Sequence, residues 1–110
     1  MIRNITTNTI ISEEERYCKT VFSQARGLMF RNKQNLVMEF PEERRISLHM
    51  FFVFYPIEVF VLDKNKKVVE MKRNFWPFTV WNSVKKGKYV IELGKRNKML
   101  KVNVGDKILF

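Results

Sequence analysis

Ile57-Glu58-Val59-Phe60-Val61-Leu62 is followed by Asp63-Lys64-Asn65-Lys66 and then by Lys67-Val68-Val69-Glu70-Met71. Both flanking runs are short and rich in branched and apolar residues, a composition that suits a pleated, half-buried surface. The Asp and Asn between them bond readily to nearby backbone and favour a tight connection. These features predict two antiparallel strands joined over residues 63–66. Upstream, Ile46 to Phe54 has the same character. Tyr55-Pro56 separates it from the hairpin, because proline has no N–H to place in a ladder.

Working outward, Leu36 to Phe40 is a further apolar run ended by Pro41, and Glu42-Glu43-Arg44-Arg45 is a charged turn before Ile46. Lys88 to Leu93, bounded by Gly87 and Gly94, and Lys107 to Phe110, introduced by Gly105-Asp106, complete the strands. Residues 75–85, interrupted by Trp76-Pro77, are expected to be loop with at most one edge strand. Near the N-terminus, Ser12-Glu13-Glu14-Glu15 has a capping-box pattern with acidic groups at the positive end of a helix dipole. Tyr17, Val21, Phe22 and Ala25 then recur at three-and-four spacing, and Gly27 can close the last turn. The expected fold is mainly β: a compact antiparallel β-sandwich or barrel-like single domain over residues 1–110, with one short N-terminal α-helix at about residues 13–26.

A chain of 110 residues with 45% apolar content and ten Phe can build one core without disulfides or a structural metal. Cys18 has no partner cysteine and is expected to be a small buried side chain. The first residues lack a basic segment followed by an apolar one, so a cytoplasmic location is expected. Met50 to Leu62 contains Pro56 and Glu58 and falls well short of the roughly 20 residues of a spanning helix, so no membrane partner is expected. The net charge of +10 is one-sided: residues 1–63 carry eight basic and eight acidic side chains, residues 64–110 thirteen basic and three acidic. Such a field attracts anionic partners and says nothing about fold.

Five spaced motifs resemble one family. They are Gly27-Leu28-Met29-Phe30-Arg31, His49-Met50-Phe51-Phe52-Val53, Pro56-Ile57-Glu58-Val59 with Leu62-Asp63, Tyr89-Val90-Ile91-Glu92-Leu93, and Gly105-Asp106. In this order they resemble the prokaryotic family called domain of unknown function 192, over about residues 16–110. Two departures are Glu58, where Asp is usual, and Gly94-Lys95-Arg96 in place of a Pro-Ala-Gly-like turn. The resemblance implies a mainly β, sandwich-like domain and brings no activity with it.

Each single polar residue also has a plainer structural role open to it. His49 is the only histidine, and without carboxylate or thiolate partners at ligand spacing it predicts no metal site. Ser47 and His49 share a strand face, yet no glycine elbow surrounds Ser47 and no third group orients the imidazole. Arg31 can clamp a carboxylate or phosphate, or pair internally with Glu58, Asp63 or Glu92. Glu58 interrupts an apolar strand and, if buried, needs a cation, for which Arg31 and His49 are candidates. None of Gly27, Gly87, Gly94 and Gly105 begins a phosphate-binding loop, so no cofactor is expected. Phe75-Trp76-Pro77-Phe78-Thr79-Val80-Trp81 lies among Lys72, Arg73, Lys85, Lys86 and Lys88, which is material for a single-strand-binding surface as well as for a capped core under a solvated face.

Together these features favour a small, non-enzymatic ligand- or protein-binding β domain with Arg31, His49 and Glu58 as its polar site. The alternative is sequence-tolerant nucleic-acid binding through Arg73, Trp76, Trp81, Lys85 and Lys86. A hydrolase using His49 ranks third.

Overall fold

The computed structural model describes residues 1–19, 33–50, 53–95 and 100–110. Among these residues the elements are all strands: β1 (Ile2–Asn4), β2 (Thr9–Ser12), β3 (Arg16–Cys18), β4 (Asn35–His49), β5 (Ile57–Leu62), β6 (Val68–Phe75), β7 (Val80–Leu93) and β8 (Ile108–Leu109). They form a three-stranded sheet in the order β2-β1-β8 and a five-stranded sheet in the order β3-β4-β7-β5-β6. The mainly β, single-domain expectation therefore stands.

The hairpin read from the sequence is β5–β6, antiparallel. Asp63 Oδ1 accepts hydrogen bonds from the backbone N–H groups of Asn65 and Lys67 at 2.9 and 3.0 Å, which is how its side chain shapes the turn. The predicted helix is corrected over its described part: residues 16–18 are strand β3, paired in parallel with Leu36 to Met38 of β4. The remainder of that prediction lies outside the described residues. Ser12 does not cap a helix there, because its hydroxyl donates to the Glu14 carbonyl and accepts from Asn35 Nδ2. Cys18 is buried as expected, but within β3.

Two further expectations change. Pro41 and the charged Glu42–Arg45 segment do not end a strand; β4 runs through them, with a register shift against β7 between Glu39 and Arg44 that absorbs the unpaired residues. Residues 80–87 likewise belong to β7 rather than to a loop. The long β4–β7 ribbon thus continues past Tyr89, where its pairing with β5 ends. Its outer half folds over the sheet: Ile46, Leu48 and Met50 share a buried cluster with Leu36, Met38, Val59, Val61, Phe75 and Val90. Gly87 permits that fold, since a Cβ there would lie 2.2 Å from Val61 Cγ1. A second bulge is held by the buried Ser83 hydroxyl, which accepts from Ile46 N–H and donates to the Lys85 carbonyl. The carboxylate of Glu70 on β6 then accepts from the N–H groups of Val84 and Lys85 at 2.9 and 2.8 Å, bridging β6 to the returning ribbon.

The opposite face of the large sheet packs on the small one. Val37, Phe60, Leu62, Ile91 and Leu93 meet Ile2, Ile11, Val102 and Ile108 in a second core. Gly105, at φ +97°, takes a left-handed turn that a side chain would strain. The turn seats buried Asp106, whose Oδ2 accepts from Asn4 Nδ2 at 2.8 Å and from Asn103 N–H at 2.9 Å. The Gly-Asp pair is thereby a structural tie between β1 and the approach to β8.

Candidate functional site

Glu58 lies on β5 opposite Leu93, the last residue of β7. The β5–β6 register pairs Ile57 with Phe75 and Val59 with Lys72, so Arg73 and Asn74 together face Glu58. This is a bulge, and Asn74 takes φ 52° within it. The guanidinium of Arg73 comes within 3.6 Å of Glu58 Oε1 and donates to the Val102 carbonyl at 3.0 Å. The buried glutamate of the predicted polar site therefore has a described cation in Arg73, which the sequence suggested for nucleic acid. His49 ends β4 opposite Val80, the first residue of β7, and is exposed. Beside it, the Ser47 hydroxyl is hydrogen-bonded to Asn82 Oδ1. Arg31 lies outside the described residues.

There is a second buried carboxyl, which the sequence suggests only as a partner for Arg31. Glu92 is 5% exposed and sits in one row across the sheet with Arg16, Leu36 and Val59. Leu36 and Val59, its lateral neighbours, are fully buried, and this desolvation lifts its pKa from the ordinary 4.5 to about 7. The visible signal was a glutamate inside the apolar run Tyr89 to Leu93.

The clearest outward-facing feature is the connection from β6 to β7. Trp76-Pro77-Phe78-Thr79 is pinned by hydrogen bonds from Phe78 N–H to the Met50 carbonyl, from Met50 N–H to the Thr79 carbonyl, both at 2.8 Å, and from the Thr79 hydroxyl to the Trp76 carbonyl at 2.6 Å. Phe78 adopts φ 62°, a conformation costing a bulky L-residue roughly 1–2 kcal/mol. The pinned turn holds apolar side chains in water: Phe54 is 65% exposed, Trp76 61%, Val80 60% and Phe78 53%. The Phe54 and Phe78 rings meet edge to face at 5.7 Å.

The residues of the nucleic-acid alternative are dispersed. Trp76 belongs to the exposed aromatic end, whereas Trp81 is half-buried against the first core and meets Phe75 edge-on at 6.5 Å. Arg73 is engaged with Glu58, and Lys85 and Lys86 are exposed on the outer half of β7. The sequence placed Trp76, Phe78 and Val80 in one aromatic-rich stretch that reads equally as core, and gave no signal for Phe54. Among the described residues no three His, Cys, Asp or Glu side chains gather in metal-binding geometry. No described helix is long and apolar enough to cross a membrane.

Compared with known proteins, residues 4–110 match the model of the family described as "Uncharacterized ACR", domain of unknown function 192. The UPF0127 protein of Thermococcus sibiricus is 35% identical over 117 aligned residues, covering 98% of this chain and 73% of that protein. Among solved structures, a Novosphingobium aromaticivorans protein of unknown function superposes with a TM-score of 0.77 at 21% identity, over 86% of this chain and 72% of its own. A Sinorhizobium meliloti protein provisionally called a transcription regulator gives 0.76 at 20% identity, over 84% of this chain and 78% of its own. At that level of identity the two likenesses show the fold alone.

Proposed function

The chain belongs to the uncharacterised domain of unknown function 192 family, and from that premise we propose that it is a non-enzymatic binding domain that docks an acidic protein partner on its aromatic end. The observation that carries this reading is Phe78, a bulky residue held at φ 62° by hydrogen bonds while more than half of its surface faces water. Backbone strain of this kind persists where the surrounding structure enforces it, and it concentrates at functional positions. Contiguous exposed aromatic side chains are the usual anchors of protein interfaces. The partner's acidity follows from charge complementarity with a chain of net charge +10 whose excess lies in residues 64–110. On this reading Glu58, paired with Arg73, supports the fold.

Single-stranded nucleic acid is the second reading, favoured by the 61% exposed Trp76. It is supported less well, since Trp81 and Arg73 spend much of their surface on internal contacts. One titration separates the two. A fluorescent peptide of glutamates flanking a leucine-aromatic centre, and an oligothymidine of equal charge, are each added to the full chain. The proposal expects peptide binding that weakens on the order of tenfold or more in Trp76→Ala and Phe78→Ser. Binding of the oligothymidine alone, or peptide binding indifferent to both substitutions, would overturn it.

A further inference from the structure

The outward face of the β4–β7 ribbon leads away from the aromatic end. Ile46 and Leu48 point into the first core, so Arg45, Ser47 and His49, which alternate with them, face away from it and are exposed. The register sets His49 against Val80, Ser47 against Asn82 and Arg45 against Lys86, and these three β7 residues are exposed as well. One end of this double row is therefore Val80, which belongs to the apolar side chains at the pinned turn, and the other end is a pair of cations. Between them the Ser47 hydroxyl donates to Asn82 Oδ1, a step that carries no charge.

The cation pair lacks a counter-charge. Like charges directly opposite each other weaken a ladder, and an anion lying across both relieves the repulsion. Among the described residues neither Arg45 nor Lys86 makes a side-chain ion pair or hydrogen bond. Two carboxylates of the same region are already committed to backbone donors. Glu43 Oε2 accepts from Lys64 N–H at 2.9 Å, and Glu70 accepts from Val84 and Lys85.

We propose that the acidic partner lies along this face as an extended segment, its apolar anchor at the pinned turn and a pair of its carboxylates across Arg45 and Lys86; this rests on the docking function above. His49 and Arg45 are four positions apart on β4, about 13 Å at roughly 3.3 Å per residue. An extended partner covers the same span in about four residues, and its alternate side chains share the face toward the ribbon. The contacts are made by side chains rather than by an added strand, because Glu70 already occupies the β7 N–H groups at Val84 and Lys85.

Two fluorescent peptides of one composition test this by anisotropy against the full chain. Both carry a leucine-aromatic anchor; in the first, glutamates lie about four residues from the anchor on either side with serines between, and in the second the glutamates adjoin the anchor. The first should bind on the order of fivefold or more tightly at low salt, and should lose that advantage in Arg45→Gln/Lys86→Gln. Lys95→Gln/Lys101→Gln removes the same charge from two other exposed lysines and should leave the advantage intact. All four side chains are exposed, so both double variants fold. Equal affinity for the two peptides, or an advantage that survives Arg45→Gln/Lys86→Gln, overturns the proposal; if Trp76→Ala and Phe78→Ser still weaken binding, the docking function stands without it. Binding of neither peptide overturns both. Oligothymidine binding that depends on Arg45 and Lys86 when peptide binding does not would assign the cation pair to nucleic acid and overturn the proposal as well.

Discussion

Glu92→Gln is expected to stabilise the protein at alkaline pH and leave it unchanged in acid. Burial between Leu36 and Val59 raises the Glu92 pKa from the ordinary 4.5 to about 7. Below about pH 4 the group is neutral whether folded or unfolded, and its burial carries no electrostatic penalty. As pH climbs toward 7, the unfolded chain gives up the proton while the fold retains it, so stability falls; above that range the penalty is complete and constant. At about 1.4 kcal/mol per pH unit of displacement, the full penalty is about 3 kcal/mol. Glutamine keeps the shape of the neutral acid and removes the titration. Urea denaturation of the two proteins between about pH 4 and pH 8 should give coincident curves in acid. The variant's advantage should then open to about 3 kcal/mol, roughly 10–20 °C in melting temperature for a domain of this size. An advantage that is absent or reversed at pH 8 would mean that a cation holds Glu92 charged, and the desolvation argument would fail.

Other substitutions probe the packing. Gly87→Ala forces a methyl group to within 2.2 Å of Val61 Cγ1, which is fully buried, and should cost about 1–3 kcal/mol in chemical denaturation, with partial recovery in a Val61→Ala background; an unchanged midpoint would refute the close approach. Arg73→Ala removes the described cation from buried Glu58 and the donor from the Val102 carbonyl, for a loss of about 1–3 kcal/mol. The loss should shrink when Glu58→Gln is already present, and a full-sized loss in that background would dissociate the pair. Glu70→Ala should speed hydrogen exchange at the Val84 and Lys85 amides by about tenfold or more, with protection elsewhere in β7 preserved. Phe78→Gly relieves a left-handed backbone and should hold or raise the melting temperature, whereas a fall of several degrees would make the turn a packing element rather than a docking one.

The hairpin was readable because its determinants are local: Asp63 makes its turn bonds within four residues, and β5 is buried along its whole length. The β4–β7 ribbon was not. Pro41 and four charged residues look like a terminus, and only the partner strand shows that a register shift carries the ladder past them. The helix expectation failed at residues 16–18 for a similar reason. Ser12 has the chemistry of a cap, yet its hydroxyl is claimed by Asn35, a partner distant in sequence. The need of Glu58 for a cation was visible in its apolar setting, but the identity of that cation depended on a bulge at Arg73 and Asn74 that no periodicity announces. Aromatic density marked residues 75–81, and only the positive φ of Phe78 and the exposure of each side chain divided those pointing outward from those packed within.

The carboxylate of Glu70 also bears on how the protein behaves in crowded solution. Beyond Tyr89, β7 has lost β5 as a neighbour, and its outward N–H groups would otherwise offer a template to a strand of another molecule. A side-chain oxygen pair at Val84 and Lys85 occupies that template without extending it, since a carboxylate accepts the bonds but presents no further row of donors. With a chain charge of +10 adding mutual repulsion, the outer half of β7 is kept from becoming a seed for intermolecular sheet growth.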